Sequence, residues 1–190
     1  FFNLFIAIFF IVSSYEWNRM SKKKKYKIPG FIFLLISMYL IYLLRGSTEY
    51  DLYIFLATIL ICVSTDIGGY TFGKFFKGPK INKTISPNKT YSGSIGSFLL
   101  AIIFFYIYSQ NSSLISNNIE TNFGQYEFLW VIIISLISQI GDFTISFFKR
   151  KAKKKNTGSI IPGHGGLLDR IDGMLFALPF SYIYLSLVPN

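Results

Sequence analysis

The chain of 190 residues combines 52% hydrophobic residues with a formal net charge of +10, which a soluble domain of this size seldom shows. Its apolar residues form runs that approach the roughly 20 residues a helix needs to cross a bilayer, so the composition excludes an ordinary soluble domain. It also disfavours nucleic-acid binding, because the lysines cluster only between apolar runs. The single cysteine, Cys62, excludes an intrachain disulfide and a cysteine-based zinc site.

Six apolar stretches follow one another along the chain, and we predict that each forms a transmembrane helix. A helix pairs all of its own backbone groups in lipid, whereas an open sheet leaves its edges unpaired, and the alternation expected of a spanning barrel is missing. The predicted fold is an all-α, polytopic integral membrane protein with about six transmembrane helices in a single domain, 1–190. The stretches are 1–15, 28–44, 50–64, 93–109, 126–141 and 173–188.

The chain opens on Phe1 and runs directly into apolar sequence, without the basic segment that begins a signal peptide. We therefore expect that the N-terminus is truncated.

The loops between these stretches alternate in charge. The first, third and fifth loops are rich in lysine and arginine, whereas the second and fourth carry acidic residues against one base, Arg45. The positive-inside rule then places the odd-numbered loops in the cytoplasm and the last residues outside. We interpret the lysine run 22–25 as a topology determinant that touches anionic headgroups.

Four aspartates fall at the predicted cytoplasmic ends of apolar stretches: Asp66, Asp142, Asp169 and Asp172. Ionisable groups at membrane depth are costly and mark functional sites by default. Asp169 and Asp172 share one face of a helix, where their like charges favour a cation such as Mg²⁺, which binds carboxylates and substrate phosphates. The alternative is that Arg170 and nearby lysines neutralise these acids in ordinary ion pairs.

A flexible basic loop follows the fifth stretch and indicates an anionic substrate. Gly163, Gly165 and Gly166 would let the backbone approach a phosphate just before a helix begins. Beside them, His164 is a candidate general base or phosphate donor, although a lone histidine in a turn is more often a local hydrogen-bonding residue.

The third loop contains a second group of glycines and cations. Asp66 and Lys74 lie among glycines, and Ser86, Lys89 and Thr90 precede the fourth helix. These residue types suit a triphosphate cradle, although the spacing matches neither a Walker loop nor a dinucleotide fingerprint. The alternative is that the small residues pack transmembrane helices together.

Residues 146–172, SFFKRKAKKKNTGSIIPGHGGLLDRID, resemble the signature of the phosphatidate cytidylyltransferases, the CDP-diacylglycerol synthases. The segments TDIGGYTFGKFFKG and SPNKTYSGSIG resemble two further segments of that family, so the similarity covers about residues 60–188, the predicted catalytic core. Three residues depart from the pattern: Asn156 replaces an aspartate, Gly69 an alanine, and Ser92 a frequent Glu or Gln.

The resemblance implies transfer of CMP from CTP to phosphatidate, with Mg²⁺ as cofactor and a second metal ion as an option. It implies catalysis at the cytoplasmic face of a membrane that we expect to be the cell inner membrane. The expected partners are CTP, phosphatidate and membrane lipid, with a homodimer as an option and no nucleic acid. The implied residues are Asp142, Asp169 and Asp172 for the metal, Asp66, Lys74, Ser86, Lys89 and Thr90 for the nucleotide, and Lys149, Arg150 and His164 for phosphate.

Three alternatives remain at this point. One is a related CTP-using membrane enzyme with another lipid acceptor, such as a polyprenol kinase or an archaeal-type CDP-lipid synthase. Another is a transporter or channel, which would place the acids near the bilayer midplane. The third is a structural membrane protein, which would explain the lysines but leave the acid cluster without a purpose.

Overall fold

The computed structural model describes residues 1–22, 24–112, 125–160 and 165–187. Within these ranges each of the six apolar stretches forms a helix, as predicted, and three short elements are added to them. The elements are α1 (Phe2–Met20), α2 (Lys27–Arg45), α3 (Glu49–Phe75), β1 (Lys80–Asn82), β2 (Ser86–Thr90), α4 (Tyr91–Gln110), α5 (Gln125–Lys151), α6 (Leu168–Ile171) and α7 (Met174–Leu187).

Four of the helices, α2, α3, α4 and α5, are long and apolar enough to cross a membrane. The chain is therefore an all-α membrane protein in its main architecture. Helix α7 is apolar but has 14 residues, or about 21 Å at 1.5 Å per residue, which is shorter than a bilayer core of roughly 30 Å. Because α1 also lies outside the group of four, the predicted total of six transmembrane helices is not confirmed.

Helices α3 and α5 contain 27 residues each and continue well beyond the apolar stretches 50–64 and 126–141. Asp66 and Asp142 consequently lie inside helices, and the prediction that they mark helix ends was wrong. Hydropathy falls at these positions because one side of each helix faces a polar cavity, while the backbone hydrogen bonds of the helix continue.

A two-stranded antiparallel sheet, absent from the prediction, follows α3. Lys80 pairs with Thr90 and Asn82 with Ser86, and the Asn82 side chain closes the turn by accepting hydrogen bonds from the next backbone N–H groups. Thr90 then caps α4, because its hydroxyl accepts from the Gly93 N–H at 3.1 Å. The hairpin thus connects two membrane helices and carries Ser86 and Lys89.

Helices α3 and α4 pack with their backbones close together. A Cβ atom built at Gly68 would collide with the Gly96 carbonyl oxygen, and one built at Gly93 would lie 2.6 Å from the Gly69 carbonyl oxygen. Small residues permit this approach in membrane helices. These glycines therefore serve helix packing, which was the alternative interpretation of the third loop.

Buried hydroxyl groups connect the membrane helices beside this contact. Thr65 of α3 donates to the Ser135 hydroxyl of α5 at 2.8 Å, and its carbonyl oxygen accepts from Ser97 of α4 at 2.7 Å. Such interhelical hydrogen bonds fix the helices relative to one another in a medium without competing water. Since Asp66 is the next residue, the position of its carboxylate is set by this junction.

The three basic loops meet at one end of the molecule. Lys154, after α5, donates through Nζ to the Arg19 carbonyl oxygen at 2.9 Å, and Arg150 donates through Nε to the Ile85 carbonyl oxygen of the hairpin at 3.1 Å. The first, third and fifth loops are therefore on the same side of the helices, as the charge alternation requires.

Candidate active site

A cavity of about 620 Å³ opens between α3, the hairpin, α4, α5 and α6. Its volume lies within the usual range of small-molecule sites. Nine of the eleven predicted site residues line it; Arg150 does not, and His164 lies outside the described residues. The nine are Asp66, Lys74, Ser86, Lys89, Thr90, Asp142, Lys149, Asp169 and Asp172.

Three carboxylates lie close together in this cavity. The side chains of Asp142 and Asp172 interact with each other, and Asp66 is near enough to both for its charge to repel theirs. Asp172 is 8% exposed. Burial and then the neighbouring charge of Asp142 raise the pKa of Asp172 well above its ordinary value, against the opposing effect of Lys149. The arrangement therefore favours any cation that can lie between these groups.

Two lysines supply positive charge to the acids. Lys149 Nζ lies 2.9 Å from Asp169 Oδ1 and 3.9 Å from Asp172 Oδ2, and Lys89 Nζ lies 2.6 Å from Asp142 Oδ2. Ion pairs of the kind named in the alternative are thus present for Asp142, Asp169 and Asp172, with Lys149 and Lys89 as the cations. Since both lysines line a cavity of ligand size, these pairs do not exclude a binding function.

Asp169 is held by the backbone as well as by Lys149. Its Oδ2 atom accepts from the N–H groups of Thr157 at 2.9 Å and Gly166 at 3.0 Å. Burial by itself raises the pKa of Asp169, but the hydrogen bonds from Lys149, Gly166 and Thr157 outweigh it and hold that pKa below its ordinary value. Asp169 is therefore ionised at neutral pH, with three of its roughly four acceptor positions in use.

The carboxylates present are suited to a divalent cation, although the described part of the chain contains no group of three or more acidic, histidine or cysteine side chains in metal-binding arrangement. Asp142 and Asp172, which line the same cavity, fit Mg²⁺, which usually takes one or two carboxylates and completes its shell with substrate phosphates and water. The role of Asp169 as a third ligand stays a prediction.

The other two predicted cations are Lys74, which lines the cavity, and Arg150, which does not. Lys74 is exposed, with Nζ 5.7 Å from the centre of the Tyr70 ring. Arg150 bonds the carbonyl oxygens of Ile85 and Lys154, so in this structure it holds the hairpin against the end of α5. Its role in phosphate binding stays a prediction.

Sequence reasoning missed Gln139 of α5. Its backbone carbonyl oxygen accepts from Lys89 Nζ at 3.4 Å, and its Oε1 atom accepts from the Ser94 hydroxyl at 2.5 Å. Gln139 is one helical turn before Asp142, so the three-residue spacing could have placed it on the same face. Glu16, a buried acid of α1, was also missed, since no spacing connects it to residues more than 140 positions away.

Comparison with known proteins identifies the family to which the chain belongs. The model of the cytidylyltransferase family matches residues 1–188. This chain belongs to the cytidylyltransferase family. The resemblance stated from the three motifs is thus confirmed, and the match of this family member also includes α1 and α2, which precede the predicted core 60–188.

Several relatives of this family member are phosphatidate cytidylyltransferases. The protein of Bacillus subtilis is 39% identical over 145 residues, which are 76% of this chain and 51% of that protein. The protein of Rickettsia typhi is 37% identical over 174 residues, 88% of this chain and 73% of that protein, and the protein of Staphylococcus haemolyticus is 34% identical over 194 residues, 95% and 67% respectively. The chain spans about half the length of several curated relatives that it matches.

Proposed function

We propose that this family member transfers CMP from CTP to phosphatidate, forming CDP-diacylglycerol and pyrophosphate. The observation that carries the proposal is a cavity lined both by lysines and by four aspartates, Asp66, Asp142, Asp169 and Asp172. The relatives named as phosphatidate cytidylyltransferases support the choice of reaction.

The proposed reaction joins two anions, so catalysis depends mainly on charge neutralisation and in-line positioning. The phosphate oxygen of phosphatidate attacks the α-phosphorus of CTP, the bond to the β-phosphate oxygen breaks, and pyrophosphate leaves. Lys89 and Lys149 lie at the cavity wall, where they could exchange their carboxylate partners for phosphate oxygens. This exchange would place positive charge beside the phosphates without moving a helix.

Asp142 and Asp172 are the residues that would hold Mg²⁺. When bound, the ion would neutralise charge on the phosphates and orient them for displacement. Asp169, ionised and bound to Lys149, would keep the ammonium group of that lysine directed toward the same cavity.

The proposed membrane position follows from the charged loops. The meeting of the first, third and fifth loops at the cavity end supports a cytoplasmic active site, where soluble CTP and a lipid phosphate at headgroup level can both reach the carboxylates. We further propose six crossings, with α1 and α7 completing the four candidate spans, in the cell inner membrane. Contact with membrane lipid and assembly into a homodimer stay predictions.

A label-transfer assay tests the proposed reaction against a lipid kinase. Purified protein in detergent is given CTP labelled at the α- or the γ-phosphate, with Mg²⁺ and either phosphatidate or a polyprenol. We expect label from the α-position on lipid, pyrophosphate release and strict dependence on both phosphatidate and Mg²⁺. Label from the γ-position on the alcohol would indicate a kinase instead, and the absence of any CTP turnover would favour a transporter or structural protein.

A further inference from the structure

Glu16 lies in the last part of α1, directly after its apolar stretch, and its side chain is fully buried. Its Oε2 atom accepts from the Thr157 hydroxyl and the Leu168 N–H, both at 2.9 Å, and its Oε1 atom accepts from the Leu167 N–H at 2.9 Å. A buried carboxylate is tolerated only when such donors satisfy it. The three donors lie more than 140 residues from Glu16 along the chain, so this contact is a tertiary one.

The carboxylate of Glu16 joins two parts of the chain that lead into the active site. One part begins at Thr157 and Gly158, and the other runs from Gly166 to Leu168. A Cβ atom at Gly158 or Gly166 would lie 2.5 Å from a Glu16 oxygen, so the two glycines form the space that the carboxylate fills. Glu16 therefore connects both parts, and a larger residue in place of either glycine would displace its carboxylate.

Asp169 is bound to the same two parts of the chain. Its Oδ2 atom accepts from the backbone N–H groups of Thr157 and Gly166, while Oδ1 receives Lys149 Nζ. The hydroxyl of Thr157 thus reaches Glu16 and its N–H reaches Asp169. Displacing the backbone at Thr157 or Gly166 would remove hydrogen bonds from both carboxylates together.

We propose that Glu16 is a positioning residue, which holds the backbone around Thr157 and Gly166 so that Asp169 and Lys149 are aligned in the cavity. Glu16 itself is not among the residues that line the cavity, so it would act through Asp169 and Lys149. Its expected effect on catalysis rests on the proposed function. This positioning role extends the active-site machinery to α1, outside the segments that carry the family motifs.

The test replaces Glu16 by glutamine in the full chain, purified in detergent. The amide keeps one oxygen acceptor but directs an N–H group at a backbone N–H donor, so at least one of the three hydrogen bonds is lost. We expect kcat per folded molecule to fall roughly 10- to 100-fold, as when a supporting contact of an active-site group is removed, while the KM for CTP changes little. Glu16→Asp, which keeps both oxygens on a shorter side chain, should recover part of the activity.

Hydrogen exchange measured by mass spectrometry supplies a readout that does not depend on turnover. In Glu16→Gln the amides of Leu167 and Leu168 should lose protection, whereas those of α3 and α4 should not. Ser13→Ala is the matched control, because Ser13 is also buried on α1 and its hydroxyl has no hydrogen-bond partner among the described residues. This control should leave both readouts unchanged.

The outcomes separate the inference from the proposed function. Unchanged protection at Leu167 and Leu168, or an unchanged kcat per folded molecule beside an active wild-type protein, would overturn the positioning role. A uniform loss of protection along the whole chain in both Glu16 variants would also overturn it, since Glu16 would then support only the fold. A wild-type protein without cytidylyl transfer would defeat the proposed function, and the exchange result would still decide whether Glu16 holds this segment.

Discussion

Asp169 and Lys149 form an ion pair in the cavity, and Asp169 is also bound to the backbone of Thr157 and Gly166. The lysine is 8% exposed and reaches two carboxylates, while Asp169 receives two backbone N–H groups in addition. Removing either charge would leave the other largely buried without its nearest oppositely charged partner, which is costly. The pair therefore contributes to the fold as well as to the proposed chemistry.

Asp169→Asn should abolish cytidylyl transfer while leaving expression and membrane insertion intact. The amide loses the charge that pairs with Lys149, and we expect the free energy of unfolding to fall by about 2 kcal/mol, the contribution of a charged hydrogen bond. Label transfer and thermal unfolding in detergent measure the two effects, with Lys22→Gln as the control that changes little. Wild-type turnover in Asp169→Asn would refute its place in the site.

The pH dependence of this contribution has a definite sign. Because the pKa of Asp169 is lowered in the folded protein, its stabilisation is fully present above the ordinary carboxyl pKa, about 4. It is lost as the pH falls through the lower folded value. The difference in melting temperature between the wild type and Asp169→Asn should be constant from neutral pH down to about 4, narrow as the pH falls from there toward the lower folded pKa, and be smallest below it. A difference that grows on acidification would contradict the assignment.

Lys89→Gln tests the second ion pair. Removing the ammonium group leaves Asp142 without the cation 2.6 Å away and deprives the cavity of a phosphate partner. We expect kcat/KM for CTP to fall roughly 10- to 100-fold, equivalent to the loss of one charged hydrogen bond. Lys83→Gln is the matched control, since Lys83 is exposed in the hairpin turn and does not line the cavity. Equal effects of the two substitutions would indicate a loss of general positive charge instead.

At the scale of elements, the contact between α3 and α4 brings the hairpin to the acids. The glycines of α3 allow α4 to approach, Thr90 begins α4 at the end of β2, and Lys89 is consequently directed toward Asp142. In the sequence the same glycines also suited a phosphate-binding loop. Glycine permits both phosphate binding and close helix packing, and the neighbouring side chains decide which of the two occurs.

Gly68→Ala should weaken this contact. The new methyl group would meet the backbone carbonyl of Gly96, which cannot move aside as a flexible side chain could, so we expect a loss of about 1–3 kcal/mol, typical of overpacking. Thermal unfolding in detergent measures the loss. Ile95→Ala is the control, because Ile95 of α4 is 61% exposed, and it should change stability little. Equal losses of stability in the two variants would contradict close packing as the cause.

For the whole molecule, the decisive property is that acids and basic loops share one end. Hydrogen bonds from Lys154 to Arg19 and from Arg150 to Ile85 join all three basic loops at the end of the molecule where the hairpin lines the cavity. Positive charge beside the membrane surface would keep this end cytoplasmic and would raise the local concentration of anionic substrates.

Cysteine labelling of intact and permeabilised cells tests that orientation. In a Cys62→Ser background, Lys153→Cys should react with a membrane-impermeant reagent only after permeabilisation, whereas Asn111→Cys, at the opposite end of α4, should react in intact cells. Labelling of Lys153→Cys in intact cells would place the cavity outside and contradict the proposal.

The sequence by itself determined the helices, the family and many of the residues that line the cavity. Apolar runs suffice for membrane helices because lipid leaves the backbone no other partner, and nine predicted residues converged because the motifs lie at the ends of those runs that face one side. The sequence did not determine where the helices end, because Asp66 and Asp142 indicate a polar surface but cannot show whether that surface is a cavity or a loop.

Only the tertiary structure decided which groups pair with which. Lys149 was found between Asp169 and Asp172. Arg150 was found bonded to the hairpin, and Glu16 to the backbone of Leu167 and Leu168, more than 140 residues away. These outcomes depend on distances of a few ångströms between side chains from different elements, and a Coulomb or hydrogen-bond energy falls steeply over that range. Residue spacing fixes such distances within one helix, but between helices they depend on how the glycines and hydroxyls of the interfaces pack.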